Sequence, residues 1–328
     1  MKKVAVVILN WNGVSLLEKF LPSVVRFSPE ATVYVADNAS DDLSVEMLRL
    51  RFPMVRVIRN TQNFGFAQGY NEALRFVEED IYALVNSDVE VTQSWLAPML
   101  TLLESNPDIA IVQPKILDYK NKQRFEYAGA GGGFIDRYGY PFCRGRVFET
   151  VETDNGQYDD SVPVFWASGA CMVIRKEVFR NLGGFDSRFF AHMEEIDLCW
   201  RAYNRNYKAF YCGQSTVYHV GGATLNEQHP QKAYLNFRNS LFMLTKNLPK
   251  NKLAVTLFFR MILDGLAALR FLFLGKFQHF AAVFNAHISF YSSFVTVYKQ
   301  RDCYQRLDFF KVQSIVWRYF VNGKKKFG

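Results

Sequence analysis

Short apolar runs alternate with longer amphipathic segments along the first hundred residues of the chain. Residues 4–9 form a compact β-branched run, as expected of a buried parallel strand, and residues 32–36, 55–58 and 81–85 are similar. The segments between them place apolar residues at helical spacing and cover residues 14–27, 40 to about 51, 67–77 and 93–103. This alternation predicts an α/β fold, a mostly parallel sheet with helices on both faces. Ser40 is the expected N-cap of the second helix.

The alternation breaks down between about residues 118 and 162. Glycine-rich residues 129–133, Tyr140-Pro141 and residues 153–156 predict long loops there. Loops of that length in a compact domain are usually functional or disordered, and we interpret residues 129–146 as a lid over a second substrate. The regular pattern then returns, with strands expected at 165–174, 209–212 and 216–220 and a helix at 194–203.

The last eighty residues are much more apolar. Residues 253–274 contain Arg260, Asp264 and Arg270, which fall within roughly a third of the circumference of a helix. Residues 277–298 also have a polar stripe opposite an apolar one. Neither segment offers about 20 uninterrupted apolar residues, so both are predicted to be amphipathic helices and not membrane spans.

Two interpretations of this C-terminal region, residues 248–328, stay open. The helices can lie peripherally on the cytoplasmic face of a bacterial inner membrane, with lysine and arginine side chains on anionic lipid. Alternatively they pack on the preceding domain, or on a second subunit in a homo-oligomer.

Composition narrows the functional classes only slightly. The formal net charge of +8 suits an anionic partner without choosing one. The basic residues are dispersed and no recognition motif is present, which argues against nucleic acid. The five cysteines are scattered without a CxxC pair, so we expect neither a zinc site nor a disulfide framework, and a cytoplasmic location.

Polar residues follow three of the predicted strands at the point where each ends. They are Asn10 and Asn12, then Asp37, then the triplet 86–88 (NSD). Ligands of open α/β sheets bind at the carboxyl ends of the strands, so these side chains predict a nucleotide pocket. No GxGxxG follows the first strand, which argues against a dinucleotide-dependent dehydrogenase.

Eight sequence blocks resemble those of family 2 glycosyltransferases in order and spacing. The blocks are residues 4–13 (VAVVILNWNG), 35–41 (VADNASD), 63–74 (NFGFAQGYNEAL), 84–89 (LVNSDV), 168–173 (SGACMV), 183–190 (GGFDSRFF), 194–201 (EEIDLCWR) and 219–222 (HVGG). The versions present here are most similar to bacterial rhamnosyltransferase-type enzymes of surface-polysaccharide assembly. The resemblance implies a GT-A, Rossmann-like catalytic domain, placed at residues 1–247, and a nucleotide-sugar donor. It further implies a glycan or lipid-linked acceptor, a divalent metal and, usually, inversion at the anomeric carbon.

The resemblance also assigns a metal site. Asp88 ends the NSD triplet, which is similar to the DxD motif of the family except that Asn86 replaces the first aspartate. His219 matches the histidine after the last strand of the family. A divalent cation neutralises a departing diphosphate as a Lewis acid. Magnesium prefers oxygen ligands, so a histidine ligand tilts the expectation towards manganese.

An ED pair at a helix start carries the general base in the family. The chain has Glu194 and Glu195 there, and Glu195 aligns with the catalytic aspartate, so it is the first candidate and Glu194 the second. Asp197 is spaced to pair with Arg201 along the same helix, and we assign it a structural role.

The remaining matched positions are expected around the donor. Asp37 matches the residue that contacts the base or ribose, and Arg238 a residue near the diphosphate, although a surface arginine is an equal alternative. The other expected donor contacts are Asn10, Asn12, Asn63, Gly65, Asn86 and Ser87, with Trp166, Ser168 and Gly169 as the floor of the sugar pocket.

Two other functions compete with this prediction. A sugar-phosphate nucleotidyltransferase shares a related sheet but needs a basic, glycine-rich loop after the first strand, where residues 10–12 (NWN) offer no lysine or arginine. A nucleotide-sugar or glycan binding protein with a decayed site is the other alternative, because Asn86 and Glu195 depart from the family pattern.

Overall fold

The computed structural model describes residues 2–221 and 229–328. Its strands are β1 (Val4–Asn10), β2 (Ala31–Asp37), β3 (Arg56–Arg59), β4 (Ile81–Asn86), β5 (Val89–Val91), β6 (Ile109–Asp118), β7 (Gly133–Ile135), β8 (Pro141–Cys143), β9 (Arg146–Val147), β10 (Thr150–Val151), β11 (Ser161–Val164), β12 (Cys171–Arg175) and β13 (Lys208–His219). Its α-helices are α1 (Val14–Phe27), α2 (Ser44–Arg51), α3 (Gly65–Ala73), α4 (Ala97–Ser105), α5 (Lys176–Asn181), α6 (Glu194–Asn204), α7 (Pro230–Asn247), α8 (Lys250–Phe273), α9 (Phe277–Tyr298) and α10 (Ile315–Phe320).

The described residues form one large mixed sheet of nine strands. The order is β11, β13, β6, β12, β4, β1, β2, β3, and β5 pairs with β13 beside that path. Strands β4, β1, β2 and β3 are parallel neighbours, as β6 and β13 are, whereas β12 runs antiparallel to both β4 and β6. The predicted α/β class with helices around a central sheet is confirmed, and the parallel half is the half that the sequence pattern described.

Helices cover the sheet on both faces because β1 and β4 are apolar on both. One buried cluster joins the sheet to α1, α2 and α4 through residues such as Leu17, Met47 and Met99. The other joins it to α3, α6 and α7 through residues such as Tyr70, Trp200 and Leu241. Helix α1 has the predicted bounds, and its buried residues follow the i, i+3, i+4 spacing of an amphipathic helix.

Residues 118–162 are more ordered than the sequence pattern predicted. Strands β7 to β10 form a second, four-stranded antiparallel sheet in this stretch. It packs directly on the large sheet at Gly133, where a Cβ atom would lie 2.1 Å from the ring of Trp166. The strands were missed because they are only two or three residues long, too short to show an alternating pattern.

Other boundaries also differ from the prediction, and of the strand expected at residues 165–174 only the end is found, as β12, Cys171–Arg175. Residues 208–219 form the single strand β13, whose register shifts between Cys212 and Thr216, at the gap that separated the two predicted strands. Ser40 does not cap α2, which begins at Ser44. The Ser40 hydroxyl group instead accepts hydrogen bonds from the Asn12 amide, at 2.9 Å, and from the Asn10 side chain, at 3.2 Å.

Helices α8 and α9 form an antiparallel hairpin on the outside of α7. Its pairing is visible where His287 Nε2 lies 3.3 Å from Asp264 Oδ2 and Tyr291 contacts Met261. Within the described residues, α9 is the helix whose length and hydropathy would suffice to cross a membrane, which is weak support for a span. The predicted boundary at 247/248 falls between α7 and α8, and the division into two domains stays a prediction.

Candidate active site

An amide network ties the carboxyl ends of β1 and β2 together. The backbone N–H of Asn38 donates to the Asn10 carbonyl at 2.7 Å. Asn10 Nδ2 lies 3.4 Å from Asp37 Oδ1, and the Ser40 amide donates to Asp37 Oδ2 at 3.2 Å. Asn10 and Asp37 are both fully buried. Asn10 Oδ1 has no hydrogen-bond partner among the described residues, which leaves one buried acceptor at this edge.

The network continues through Asn38 into the turn before α3. Asn38 Nδ2 donates to Asn63 Oδ1 at 2.9 Å and to the Gly65 carbonyl at 3.1 Å, while Asn60 Nδ2 donates to Asn38 Oδ1. Asn38 stands beside Asp37 in the polar cluster that the sequence places after the second strand, whereas sequence reasoning missed Asn60. The structure therefore brings the predicted donor residues Asn10, Asp37, Asn63 and Gly65 into one hydrogen-bonded edge.

Strand pairing explains how Asp88 and His219 meet although they are far apart in sequence. Strand β5 runs antiparallel to β13, with His219 opposite Val89. The Val220 amide also donates to the Asp88 carbonyl at 3.1 Å. The side chains then converge, with His219 Nε2 3.1 Å from Asp88 Oδ1, and both are nearly inaccessible to solvent.

Glu126 is the third residue of this cluster and lies on the Nδ1 side of the His219 ring. Its Oε2 lies 3.4 Å from His219 Nδ1 and accepts a hydrogen bond from the Ala128 amide. Gly221, at φ +68°, passes so close that a Cβ atom there would lie 2.8 Å from Glu126 Oε1. Burial alone would lower the pKa of His219, but the carboxylates of Glu126 and Asp88 outweigh it and raise that pKa to about 10. The cluster therefore holds either a proton or a cation on the imidazole.

Asp88 and His219 are spaced so that one cation can contact both. The 3.1 Å between Oδ1 and Nε2 is close to the separation of adjacent ligands that each lie roughly 2.1 Å from an octahedral ion. The described residues contain no cluster of three or more such ligands, so the remaining positions fall to water and substrate oxygens. One carboxylate and one imidazole fit a divalent cation of this kind, with Glu126 orienting the imidazole from behind.

Glu194 and Glu195 begin α6 on the other side of the crevice. Burial raises the pKa of Glu195 to about 7, against the backbone amides at the helix start that favour the charged form. Burial, and then the neighbouring charge of Glu195, raises the pKa of Glu194 well above its usual range. Oε2 of each side chain is enclosed without a hydrogen-bond partner among the described residues. A carboxylate oxygen that accepts no hydrogen bond from the protein can accept a proton from a ligand.

The turn before these glutamates is held in a strained conformation. Phe190, His192 and Met193 have φ values of 61°, 70° and 72°, in the left-handed region that such residues rarely adopt. Asn239, which is fully buried on α7, holds this turn by placing Nδ2 at 3.0, 3.0 and 2.7 Å from the carbonyls of residues 189, 191 and 192. The start of α3 holds the other side, because the amide of Phe66 donates to the Phe190 carbonyl at 2.9 Å.

Arg238 contributes to the same clamp. Its Nη2 donates to the Arg188 carbonyl at 3.1 Å, and its Nε donates to Asn239 Oδ1 at 2.9 Å. Its predicted contact with a diphosphate stays a prediction, and in this structure the guanidinium group supports the turn before α6.

Arg146 and Cys143 lie between the two carboxylate groups. Arg146 donates to the Tyr127 carbonyl at 2.9 Å, and its Nη2 lies 3.6 Å from Cys143 Sγ. Burial raises the pKa of Cys143 to about 11, and the negative charges of Glu126 and Glu195 both add to the rise. Because both carboxylates act on one thiol, the Asp88–His219–Glu126 cluster and Glu195 both lie near Cys143.

The three residues predicted for the sugar-pocket floor take different places. Trp166 is buried and donates from Nε1 to the Phe134 carbonyl at 2.8 Å. Ser168 is also buried and binds Gln113 through its amide. Gly169 alone of the three meets the catalytic side, since a Cβ atom there would lie 3.9 Å from Glu195 Cβ and 3.3 Å from the Phe66 ring.

The other predicted donor residues lie at the open rim. Asn86 and Ser87 are partly exposed where β4 ends, and Asn12 is exposed after β1. Gly222, the last residue of the HVGG block, lies outside the described residues. A separate cavity of about 700 Å³ lies beside α3 and α5 and is lined by Arg201 and Lys246, whose charges are already paired with Asp197.

The chain matches a known protein family. Residues 5–183 match the profile described as Glycosyl transferase family 2. The chain is 26% identical over 220 residues to N-acetylglucosaminyl-diphospho-decaprenol L-rhamnosyltransferase of Mycobacterium tuberculosis, covering 62% of this chain and 71% of that protein. It is 24% identical over 273 residues to the low-salt glycan biosynthesis hexosyltransferase of Haloferax volcanii, covering 80% of this chain and 83% of that protein.

Two solved structures share the fold. GalNAc-T7, solved with UDP, GalNAc and Mn²⁺, has a TM-score of 0.60 at 17% identity over 77% of this chain and 49% of its own, so this chain spans about half of it. The mannosyltransferase PcManGT of Pyrobaculum calidifontis, solved with GDP-Man and Mn²⁺, has a TM-score of 0.53 at 14% identity over 89% of this chain and 76% of its own. The predicted GT-A fold is therefore confirmed.

Proposed function

Because the chain belongs to glycosyl transferase family 2, we propose that it is an inverting, metal-dependent hexosyltransferase that acts on a glycan or lipid-linked glycan. The donor is a nucleotide diphosphate sugar, and rhamnose is the first sugar to test because the Mycobacterium tuberculosis relative is a rhamnosyltransferase. We place the reaction at the cytoplasmic face of a bacterial membrane.

One observation carries this proposal. Glu195 has a buried carboxyl group at the start of α6, a pKa raised to about 7 and one oxygen without a partner among the described residues. A general base works best when its pKa lies near the operating pH. The pKa of the neighbouring Glu194 is raised as well, and we assign Glu195 as the base because it aligns with the catalytic aspartate of the family.

The chemistry assigned to these residues is a single displacement. Glu195 accepts the proton of the acceptor hydroxyl group while the oxygen of that hydroxyl group forms a bond to the anomeric carbon. The bond from that carbon to the diphosphate oxygen breaks, the nucleoside diphosphate leaves with the electron pair, and the configuration inverts. A divalent cation held by Asp88 and His219 would supply charge neutralisation for the leaving group. The amide edge around Asn10, Asp37 and Asn63 is where we place the nucleoside.

The partial family motif does not favour a decayed binding protein. Asn86 replaces one carboxylate, but the structure supplies Glu126 behind His219. An unpaired carboxyl oxygen that is buried without a catalytic use costs roughly 1–3 kcal/mol, and α6 retains two. This arrangement supports an enzyme over a binding protein.

The direct test is a panel of nucleotide sugars assayed with Mn²⁺, Mg²⁺ and chelator. We expect metal-dependent release of nucleoside diphosphate from one donor class, and a product with the opposite anomeric configuration by NMR. His219→Ala should lose most of the metal response. Metal-independent turnover by the wild type, or a product with retained configuration, would contradict the proposal.

A further inference from the structure

The outer face of the α8–α9 hairpin is apolar along its whole length. Exposed large hydrophobic residues three or four positions apart line α8: Val255, Phe258, Ile262, Leu266, Leu269 and Phe273. Those on α9 are Phe277, Phe284, Ile288, Tyr291 and Val295, of which the last four are three or four positions apart. We call these eleven residues the outer apolar face. Soluble proteins rarely leave so continuous an apolar surface open to water.

The polar residues in the middle of α8 face inwards instead, whereas Asn285, Ser292 and Thr296 on α9 are exposed beside the apolar face. Arg260 Nε donates to Asp264 Oδ1 at 2.8 Å, and Tyr140 donates to the same oxygen at 2.8 Å. Arg260 also reaches the Tyr138 carbonyl at 3.2 Å. Arg260 and Asp264 are almost fully buried. A helix that places its ion pair against the protein and its phenylalanines outwards is suited to an apolar environment outside.

The charges around this face suit an anionic surface. The only acidic residue in α8 and α9 is Asp264, which is buried. Arg270 and Lys276 flank the turn between the helices, and Arg270 stacks 5.2 Å from the ring of Phe320 on α10. Three consecutive exposed lysines, residues 324–326, follow α10 along the chain, and Trp317 on α10 is exposed.

A second copy of the chain fits this face less well than lipid does. A two-fold interface brings the same surface against itself. Arg270 already pairs with Glu149 of its own chain at 3.6 Å, and α8 and α9 have no exposed carboxylate to meet Lys276 of a second copy. A bilayer with anionic headgroups offers both the apolar layer and the negative charge.

The hairpin lies flat on the protein and does not leave it to cross a membrane. The inner side of α9 packs on α7 through buried Ala282, Val283, Ala286 and Phe290, with the rings of Phe290 and Phe242 6.3 Å apart. A helix attached along one side in this way presents only its other side to lipid. Amphipathic helices bound in the membrane plane bury their apolar face roughly 5–10 Å deep.

We propose that the outer apolar face of the α8–α9 hairpin seats the enzyme on an anionic bilayer, with the helices parallel to the membrane plane. This inference extends the proposed function, because it brings residues 129–146 within about one helix diameter, roughly 10 Å, of the lipid. A lipid-linked acceptor then reaches the crevice without leaving the membrane.

The test measures binding of the full chain to vesicles of phosphatidylcholine with and without phosphatidylglycerol. We expect strong sedimentation with the anionic vesicles and weak sedimentation with the neutral ones. The double variant Ile262→Glu/Ile288→Glu should bind the anionic vesicles about tenfold or more weakly, since each glutamate must leave water. The matched control Leu50→Glu/Phe76→Glu changes exposed apolar residues away from the hairpin and should bind like the wild type.

The outcomes separate this inference from the proposed function. Donor hydrolysis in solution, assayed without vesicles, should be equal in all three proteins, so failure of catalysis alone leaves the seating result interpretable. Equal vesicle binding by wild type and double variant would overturn the proposal. Wild-type dimers that the double variant dissociates, with no vesicle binding by either, would overturn it in favour of a second copy. Replacing Lys324, Lys325 and Lys326 by glutamine tests the charge separately and should remove most of the preference for anionic lipid.

Discussion

Two carboxyl groups in the first turn of α6, that of the fully buried Asp197 and that of the partly buried Glu195, have opposite chemistry. Asp197 accepts hydrogen bonds from Arg201, Lys246 and Asn247 at 2.8–2.9 Å, and although burial would raise its pKa, Lys246 and then Arg201 lower it to about 2. Glu195, two residues earlier, forms no ion pair among the described residues, and burial raises its pKa to about 7. The hydrogen-bond and ion-pair partners of Asp197, more than burial, distinguish the carboxyl group to which we assign a structural role from the one that we propose as the base.

The largest expected effect comes from removing the reactive carboxylate. Glu195→Gln should lower kcat by about 10²–10⁴-fold, because the amide cannot accept the acceptor proton. The matched control is Glu194→Gln, which keeps the side chain neutral, as we assign it in Glu194, and should lower kcat far less. Initial rates at saturating donor measure both. Near-normal turnover in Glu195→Gln, with a severe loss in Glu194→Gln, would exchange the two roles.

Removing the structural carboxylate should affect stability instead. Asp197→Asn leaves Lys246 and Arg201 buried with one fewer negative charge, and we expect a loss of about 3–5 kcal/mol in the free energy of unfolding. Urea titration measures it. Activity per folded molecule should remain high, and a variant that is stable but inactive would place Asp197 in the chemistry.

The clamp on the strained turn should produce an intermediate effect. Asn239→Ala releases the carbonyls of residues 189, 191 and 192 and should lower the free energy of unfolding by about 1–3 kcal/mol. Because Glu194 and Glu195 follow this turn and should move when it is released, kcat should also fall about tenfold, with little change in the donor KM. The neighbouring Ser240→Ala, which loses only a bond to the carbonyl of Asn236, is the control. A kcat unchanged in a destabilised Asn239→Ala enzyme would limit the clamp to a structural role.

The two carboxylates should also give opposite pH dependences. Turnover should rise with pH through about 7 as Glu195 ionises, falling about tenfold per unit below that. Because its folded pKa is raised, Glu195 contributes stability at low pH that is lost as pH rises through about 7, so Glu195→Gln should be more stable relative to wild type at pH 8 than at pH 5. Asp197 has a lowered pKa, and its contribution is lost as pH falls from about 4 to about 2. Chemical denaturation across pH checks both slopes.

The sequence predicted the parts of this site that local pattern encodes. The ends of the buried apolar runs indicated Asn10, Asp37 and Asp88 as candidate site residues. The expected pairing of Asp197 with Arg201 is confirmed. The family resemblance, which the profile match confirms, added Glu195 and His219. The specific roles of these residues stay predictions.

The residues that were missed depend on contacts made across the fold. Glu126 reaches His219 only because the segment after β6 folds back over it, and no local spacing signals that. Strand β6 was not predicted at all, because Pro114 and two polar residues interrupt its apolar run. A helical wheel gives the two faces of α8 but does not reveal that Arg260 and Asp264 turn towards Tyr140.

That buried contact has a practical consequence for anyone who shortens the chain. A protein ended after Asn247, at the boundary that the hydrophobic pattern suggests, would lack Arg260 and Asp264, so the Tyr140 hydroxyl group and the Tyr138 carbonyl would lose the groups they bind. The Asp136 carboxylate would also lose its bond to the Ile315 amide. We therefore expect the shortened protein to be poorly folded around β7 and β8, and the C-terminal segment to be needed to purify a folded protein.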